Sequence, residues 1–395
     1  MDLEYSWKNH LRQCAEAGLE RRLCPLQHSD GTHGIDADGR RIFIACSNDY
    51  LGLRFHPAVI GAGIEALQSS GSGSSGARAV TGAHFFAAAL ESALSALKGT
   101  ESSLLYGTGY MGNVGTISTI ASDGDFIFSD RKNHASLIDG CRLSHAQTFT
   151  YPHRDWQTLE NLLQKNFGKG HRFIVSDGVF SMDGTIAPLR DLLRLANEYD
   201  AHLLIDDAHG LGVLGENGHG ILEHFSIAPQ GRIIQLGTCS KALGSFGGFV
   251  CGTSSFTAYL RQRSRPFLCS TMLPPSTTAA SAKALEILQR EKHLVEKLKN
   301  LSHLTKAFFS KNSIAFPEES VAIFPILIGS EVRAQKIARC MYDRGILLRE
   351  IRYPSVPLAS ARLRLTLCAS YDEGEWLWML SQLHLEMKKN GALPQ

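Results

Sequence analysis

The sequence predicts an α/β protein in which helices cover both faces of a mainly parallel central sheet, with a smaller C-terminal α/β domain. Two observations support this class. Short apolar runs alternate with helical patterns through the middle of the chain, and this alternation is typical of parallel sheets. The chain has 395 residues, too many for one small core, so more than one lobe is expected.

The composition is that of an ordinary globular protein and excludes several classes of function. Hydrophobic residues make up 44% and charged residues 20%, and the formal net charge is +2. We therefore expect no nucleic-acid partner, because such proteins carry concentrated basic surfaces. No apolar run approaches the ~20 residues of a membrane helix. The 9 cysteines form no C-x-x-C pair, so neither a structural metal site nor disulfides are expected, and a cytoplasmic location is predicted.

The N-terminal segment, residues 1–45, is predicted to contain an amphipathic helix followed by a polar hairpin. Trp7, Leu11 and Cys14 share one face of the helix, and Asp38-Gly39 between short apolar runs is a turn signal. Residues 46–285 are predicted to form the large domain and residues 286–395 the small domain.

Six buried strands are predicted in the large domain, each a short apolar run. They lie at 103–106, 125–128, 173–176, 202–205, 233–236 and 248–251. One long amphipathic helix over 284–309 is expected to lead into the small domain. There the predicted order is strand, helix, strand and helix, at 323–328, 333–344, 362–367 and 373–388.

A glycine-rich loop, Gly107–Gly112, follows the first of these strands and opens a helical run. Backbone N–H groups at a helix N-terminus bind anions, and glycine lets a phosphate approach closely. A tight strand-to-helix turn explains the loop equally well. Asp130 lies about twenty residues further on, which leaves a nicotinamide dehydrogenase open at this point. Tyr110 inside the loop fits a compact phosphate better than an extended dinucleotide.

Asp206 ends a predicted buried strand, and open parallel sheets bind ligands beyond the carboxyl ends of their strands. A buried carboxylate needs a cationic partner, and a protonated pyridine nitrogen would serve. A ring held in this way accepts electrons from a carbanion. His209, in the same loop, could bond the phenolic oxygen of the ring. Taken singly, both residues are more often satisfied polar groups or caps.

Lys241 follows the next strand and is flanked by small residues. Such neighbours leave space for an aldehyde adduct, and a pocket lowers the amine pKa toward nucleophilicity. Thr238 and Ser240 supply hydroxyl groups for a phosphate. A surface lysine in a glycine-rich loop is the alternative explanation for Lys241 alone. Together with Asp206 on the preceding strand, it predicts pyridoxal phosphate held by Lys241 as a Schiff base.

Two further strand ends carry polar residues. His134 could stack on the cofactor ring, although a histidine at a helix start is also a common cap. Asp177 and Ser181 follow the end of another predicted strand and are expected at the same edge of the sheet.

With these motifs the chain resembles the α-oxoamine synthases, a family of fold-type-I pyridoxal-phosphate enzymes. The motifs that carry the resemblance occur in the family's order: Ser47–Leu53, Asn133–Ser136, Gly178–Gly184, Asp206–His209, the Lys241 loop and Ala361–Leu365. The resemblance implies a fold-type-I transferase fold and a homodimer with active sites at its interface. It also implies a reaction that joins an amino acid to an acyl thioester with loss of carbon dioxide.

The resemblance further implies roles for individual residues. Lys241 would abstract the Cα proton, Asp206 would hold the ring nitrogen, and His134 would stack on the ring. The other implied cofactor contacts are Gly109, Tyr110, Ser181, His209, Thr238, Ser240 and Thr271, the last reaching a phosphate from the partner subunit. The implied substrate contacts are Arg21 and Asn48 at the acyl entrance, Arg352, and Arg364 as a carboxylate clamp. An edge-strand salt bridge is the alternative for Arg364.

Within the family, the substrates are predicted by short motifs. Those that favour L-alanine and a pimeloyl thioester, in biotin biosynthesis, are Arg21–Pro25, Gly71–Gly82 and Ala361–Leu367. The acyl group could be carried as a thioester of coenzyme A or of an acyl carrier protein. Leu260–Pro266 instead resembles members that use glycine and acetyl-CoA. Ala87 and Leu358-Ala359 depart from the usual pattern and leave the acyl substrate open.

Three other classes are weighed against this one. A nicotinamide dehydrogenase offers no role for Lys241. An aminotransferase would use the same lysine and aspartate, but it requires a keto-acid acceptor. A catalytically inactive relative is disfavoured because Lys241, Asp206 and His134 are all retained.

Overall fold

The computed structural model describes residues 2–21, 23–166, 168 and 170–393, and of His28 the backbone alone. The chain forms two compact units. The first spans Met1–Ser47, Met182–Gly184 and Leu298–Gln395, and the second spans Asn48–Ser181 and Thr185–Lys297.

The elements follow one another in the order of the chain. The strands are β1 (Gln27–His28), β2 (His33–Ile35), β3 (Arg41–Ile44), β4 (Ser102–Tyr106), β5 (Phe126–Asp130), β6 (Gln147–Tyr151), β7 (Arg172–Asp177), β8 (Ala201–Asp206), β9 (Ile233–Thr238), β10 (Gly248–Gly252), β11 (Ile323–Gly329), β12 (Ile346–Leu347), β13 (Arg349–Ile351) and β14 (Ala361–Thr366). The helices are α1 (Leu3–Glu16), α2 (Pro57–Ser70), α3 (Phe85–Lys98), α4 (Gly109–Ile120), α5 (Ala135–Leu143), α6 (Trp156–Lys165), α7 (Leu189–Glu198), α8 (Ile221–His224), α9 (Ser254–Arg263), α10 (Arg265–Leu268), α11 (Pro275–Arg290), α12 (His293–Lys311), α13 (Glu331–Asp343) and α14 (Glu373–Lys389).

The second unit is built on a seven-stranded sheet of order β4-β10-β9-β8-β7-β5-β6. Strands β6, β5, β7, β8 and β9 run parallel, and β10 is antiparallel to both of its neighbours. Successive residues of β8, Leu203 and Leu204, face opposite sides of the sheet and are both fully buried. Leu204 packs in a core with Ile117 of α4 and Leu137 of α5. The predicted mainly parallel α/β sheet is confirmed.

The edge strand β6 is absent from the sequence prediction. It reads Gln-Thr-Phe-Thr-Tyr, and only Tyr151 in it is buried. An edge strand with one covered residue lacks the apolar run that marks the central strands.

The prediction of one continuous helix over 284–309 is wrong. The chain forms α11 and α12, which are separated at Glu291 and Lys292, and Glu291 leaves the helical region with φ −102° and ψ 64°. The apolar spacing stays in phase across the break, because Leu288 and Val295 are two helical turns apart and both are buried. Periodicity alone therefore could not reveal it.

The first unit contains two small sheets, of order β1-β2-β3-β12 and β11-β14-β13. Strands β2 and β3 form the predicted hairpin, and Gly39 in its turn has φ 77°. Helix α1 forms as predicted, but none of its residues is buried, and Trp7 and Leu11 of its apolar face are exposed. Among the described residues, no helix is long and apolar enough to cross a membrane.

Candidate active site

One cavity of about 190 Å³ in the second unit is lined by polar side chains. These side chains lie beyond the carboxyl ends of five strands: β4, β5, β7, β8 and β9. Nine of the ten predicted cofactor contacts line it: Gly109, Tyr110, His134, Ser181, Asp206, His209, Thr238, Ser240 and Lys241. The parallel register brings these strand ends to one edge of the sheet, where ligands of such folds bind.

Asp206 is the last residue of β8, and its carboxylate is held by two N–H donors. Oδ1 accepts the backbone N–H of Ala208 at 3.0 Å, and Oδ2 accepts Nδ2 of Asn113 at 2.6 Å. The residue is 6% exposed. Two donors on separate elements fix the plane of the carboxylate at the wall of the cavity.

Asp177, at the end of β7, pairs in register with Asp206, so two carboxyl groups share this edge of the sheet. Oδ2 of Asp177 accepts the backbone N–H of His134 at 2.7 Å. Burial raises the pKa of Asp177 well above its usual range, and the neighbouring charge of Asp206 raises it further. Burial and the neighbouring charge thus both favour the protonated form of Asp177.

His134 is the N-cap of α5, and its ring lies against Tyr110 of α4 with centroids 6.2 Å apart. Its Nδ1 accepts the backbone N–H of Ser136 at 3.3 Å and lies 2.7 Å from Oγ of Ser136. Burial lowers the pKa of His134, with Asp206 acting in the opposite direction. Burial therefore favours the neutral form of the ring.

Lys241 lies in the loop after β9, and its side chain reaches the same cavity as Asp206. Its positive charge lowers the pKa of both His134 and Asp177, so the ammonium is within electrostatic reach of the two. The lysine is partly buried, while Ala242 and Leu243 after it are covered.

The end of the cavity at β4 and β9 suits a phosphate. Thr108 caps α4 by accepting the backbone N–H of Met111 at 3.0 Å, so the first turn of the helix opens at the cavity. A Cβ on Gly109 would lie 3.3 Å from Cβ of Thr238, a tight contact that glycine avoids. Oγ of Thr238 and Oγ of Ser240 are 2.7 Å apart. Helix N–H groups and hydroxyls together form an anion site.

His209 follows β8 and is oriented by a residue from outside the predicted cofactor set. Its Nδ1 lies 2.6 Å from the hydroxyl of Tyr50, and that hydroxyl lies 3.3 Å from Oδ1 of Asn48. The predicted substrate contact Asn48 is thus connected to the cavity through Tyr50.

The remaining predicted residues lie elsewhere. Thr271 is exposed and forms an isolated bridge with Ala77, outside the cavity of a single chain. Arg21, Arg352 and Arg364 belong to the first unit. Arg21 donates to the carbonyl of Tyr353 at 3.3 Å, and Arg364 is a buried residue of β14. Their substrate contacts stay predictions.

The guanidinium of Arg352 is engaged with its own unit. It donates to the carbonyls of Gly18 and Glu20 and pairs with Glu350 at 3.1 Å. These contacts hold the chain that follows α1.

Sequence reasoning did not single out four residues that line the cavity, Thr108, Asn113, Ser136 and Ala208, or Tyr50, which contacts His209. Asn113 is one polar residue within an apolar helix, and Ser136 follows a capping histidine, so neither pattern separates a site residue from a structural one.

The residues present fit pyridoxal phosphate. They offer a charged carboxylate, a lysine in the same cavity and a helix N-terminus with hydroxyls for a phosphate. No cluster of metal-binding side chains occurs among the described residues. The fold and the cavity together define a fold-type-I pyridoxal-phosphate enzyme.

Comparison with known proteins narrows the class. The model of the family "Aminotransferase class I and II" matches residues 40–377. An 8-amino-7-oxononanoate synthase of Geobacter sulfurreducens is 41% identical over 367 residues, which cover 92% of this chain and 93% of that protein. One from Bacillus subtilis is 40% identical over 86% of this chain and 87% of its own. The chain belongs to the class I and II aminotransferase family, in its α-oxoamine synthase branch.

Solved structures agree with this assignment. Serine palmitoyltransferase of Sphingomonas wittichii superposes with a TM-score of 0.93 at 28% identity, covering 100% of both chains. The 8-amino-7-oxononanoate synthase of Francisella tularensis gives a TM-score of 0.76 at 26% identity, covering 88% of this chain and 98% of that one.

Proposed function

We propose that this chain catalyses the condensation of L-alanine with a pimeloyl thioester, giving 8-amino-7-oxononanoate, carbon dioxide and free thiol, in biotin biosynthesis. The observation that carries the proposal is the meeting of Lys241 and Asp206 in one cavity. The names of relatives that match over most of the chain support the choice of substrates.

In this proposal, bound pyridoxal phosphate supplies an electron sink for negative charge that develops at Cα of the amino acid. Lys241 would hold the cofactor through Nζ and would take the proton from Cα of the amino acid. Asp206 would accept the N–H of the cofactor ring and favour the protonated form of that nitrogen. His134 would cover the ring, and Ser181 and His209 would bind its phenolic oxygen.

The phosphate of the cofactor would be bound by the α4 N-terminus at Gly109 and Tyr110, and by the hydroxyls of Thr238 and Ser240. The charge of a phosphate is stabilised by the N–H groups of the helix terminus. Backbone N–H groups and the Ser240 hydroxyl would supply the donors, and the Thr238 hydroxyl, which donates to the carbonyl of Gly247 at 2.7 Å, would turn from it to reach the phosphate.

The substrates would be held by residues that the sequence predicts. Arg364 is proposed as the clamp for the amino-acid carboxylate, because a guanidinium grips a carboxylate with two parallel hydrogen bonds. Arg21 and Asn48 are proposed at the acyl entrance. For Arg352 we propose an indirect part: it anchors the segment that leads to Arg21 through the carbonyls of Gly18 and Glu20.

A homodimer is part of the proposal. Ile60, Ile64 and Leu67 form an exposed stripe on one face of α2, and Phe85 and Val80 are 93% and 77% exposed. Apolar patches of this kind commonly mark protein interfaces. Thr271, outside the cavity of its own chain, is proposed to reach the phosphate of the partner subunit.

The test is an assay with the purified protein and pyridoxal phosphate. Alanine, glycine and serine are each combined with pimeloyl-CoA, a pimeloyl carrier protein and acetyl-CoA, and released thiol and carbon dioxide are measured. We expect both products with alanine and a pimeloyl thioester, and none from the Lys241→Ala variant. Thiol release with glycine and acetyl-CoA alone would contradict the proposed substrates. Amino transfer to a keto acid without thiol release would contradict the proposed type of reaction.

A further inference from the structure

Two buried residues outside the predicted site connect Asp206 to His134. Nδ2 of Asn113 donates to Oδ2 of Asp206 at 2.6 Å and to Oγ of Ser136 at 2.8 Å. Oγ of Ser136 lies 2.7 Å from Nδ1 of His134. Asn113 is 3% exposed and Ser136 is fully buried. The four side chains form one continuous hydrogen-bonded chain along the wall of the cavity.

The donor and the acceptor of each hydrogen bond in this series of four side chains can be assigned from the carboxylate at one end. A carboxylate only accepts, so the amide of Asn113 must turn its NH2 group toward Asp206. The second amide hydrogen then goes to Oγ of Ser136, which acts as an acceptor. The hydroxyl hydrogen of Ser136 therefore points to Nδ1 of His134.

Nδ1 of His134 also accepts the backbone N–H of Ser136, at 3.3 Å. A ring nitrogen that accepts two hydrogen bonds carries no proton, so the proton of the neutral ring lies on Nε2. The charged groups that act on the ring are Asp206, Lys241 and Asp139. Burial acts in the same sense as the hydrogen bonds, because it lowers the pKa of His134.

We propose that Asn113 and Ser136 are positioning residues that fix two states at once: the orientation of the Asp206 carboxylate and the neutral, Nε2-protonated form of His134. The inference rests on the proposed function in that it takes His134 and Asp206 as the two residues that hold the cofactor ring. A neutral His134 adds no second positive charge to compete for Asp206, and it presents an N–H donor at Nε2.

The decisive test is ¹⁵N NMR of histidine rings in the full-length protein as purified with cofactor. The His134 signal is assigned with the His134→Gln variant. In the parent protein we expect the Nδ1-unprotonated pattern at neutral pH. In Ser136→Ala, Nδ1 loses its hydroxyl donor, so the titration of His134 should move upward by about half to one pH unit. Ser136→Thr, which keeps the hydroxyl, should restore the parent value.

Ser118→Ala is the matched control. Ser118 lies on α4, the helix that carries Asn113, and in the described part of the chain its hydroxyl donates to the carbonyl of Val114 at 2.6 Å, so the titration of His134 should not change. At the Asp206 end of the hydrogen-bonded series, Asn113→Leu removes the donor to Asp206. The dissociation constant for pyridoxal phosphate should then rise about tenfold. Should Asn113→Leu fail to fold, the Ser136 variants carry the test alone.

The outcomes separate the two proposals. If Ser136→Ala leaves the form and titration of the His134 ring as in the parent, the positioning proposal is wrong, whatever reaction the enzyme catalyses. If the ring signals change as expected but the parent protein releases no thiol from any thioester, the proposed function is wrong and the positioning of His134 stands.

Discussion

The hydroxyl of Tyr50 lies 2.6 Å from Nδ1 of His209, and both residues are buried. This contact fixes the ring of His209 from the side of Asn48. Removing the hydroxyl in Tyr50→Phe should let the ring turn away from the cofactor. We expect the visible absorbance of the bound cofactor to shift and kcat to fall about tenfold, the usual size for loss of an orienting contact.

The control for that prediction is Tyr371→Phe. Tyr371 is also fully buried, but its hydroxyl donates to the carbonyl of Ile44 at 2.6 Å in the other unit. Its loss should cost about 1 kcal/mol of unfolding free energy and leave the absorbance unchanged. Equal spectra for Tyr50→Phe and the parent would show that His209 is oriented by other contacts.

The paired carboxyls of Asp177 and Asp206 should respond differently to the same change. Asp206→Asn removes the charge that holds the cofactor nitrogen protonated, so kcat should fall by roughly a thousandfold or more. Burial favours the protonated form of Asp177, and the amide oxygen of Asp177→Asn can still accept the N–H of His134, so kcat should stay within about tenfold of the parent. Comparable losses in steady-state assays of the two variants would contradict this difference between the two carboxyl groups.

Much of this site was predictable from sequence because strand ends are readable. An apolar run that stops at Asp206, and another that stops shortly before Lys241, place both residues at the same edge of a parallel sheet without further information. Register then brings His134 and Ser181 to the same cavity. The positions of residues along the strands could therefore be predicted from the sequence.

Contacts made across elements were not predictable. Asn113 and Tyr50 act through partners that are distant in sequence, and their local patterns are those of an ordinary helix and turn. The break between α11 and α12 was hidden for a related reason, since no glycine or proline marks Glu291 and the apolar phase continues. Such features depend on tertiary packing.

Removing one partner of the buried ion pair of Lys98 and Asp207 should be strongly destabilising. The two side chains are each 1% exposed and lie 2.6 Å apart. Lys98→Met leaves a buried carboxylate without its cation and should lower the unfolding free energy by about 3–5 kcal/mol. Denaturant unfolding measures this loss. Lys8→Met, which removes an exposed pair with Glu4, should change it by less than about 0.5 kcal/mol, and a similar small effect at Lys98 would contradict the prediction.

Asp49 should make stability fall as pH rises. Burial raises its pKa from 3.8 to about 6, with Arg54 acting in the opposite direction. The folded state therefore binds this proton more tightly than the unfolded chain, and the stabilisation present below about pH 4 is lost between about pH 4 and 6. Asp49→Asn removes this dependence. Its unfolding free energy relative to the parent should increase by about 2–3 kcal/mol from pH 4 to pH 7, whereas parallel stability curves would contradict the raised pKa.

The proposed function requires that the amine of Lys241 hold pyridoxal phosphate in the cavity that contains Asp206. Borohydride reduction of the purified protein, followed by proteolysis and mass spectrometry of the lysine peptides, tests this requirement. We predict a stable pyridoxyl group on the peptide that carries Lys241, and none on any lysine of the Lys241→Ala variant. A reduced protein without the group at Lys241, or with the group on another lysine, would show that Lys241 is not the residue that binds the cofactor.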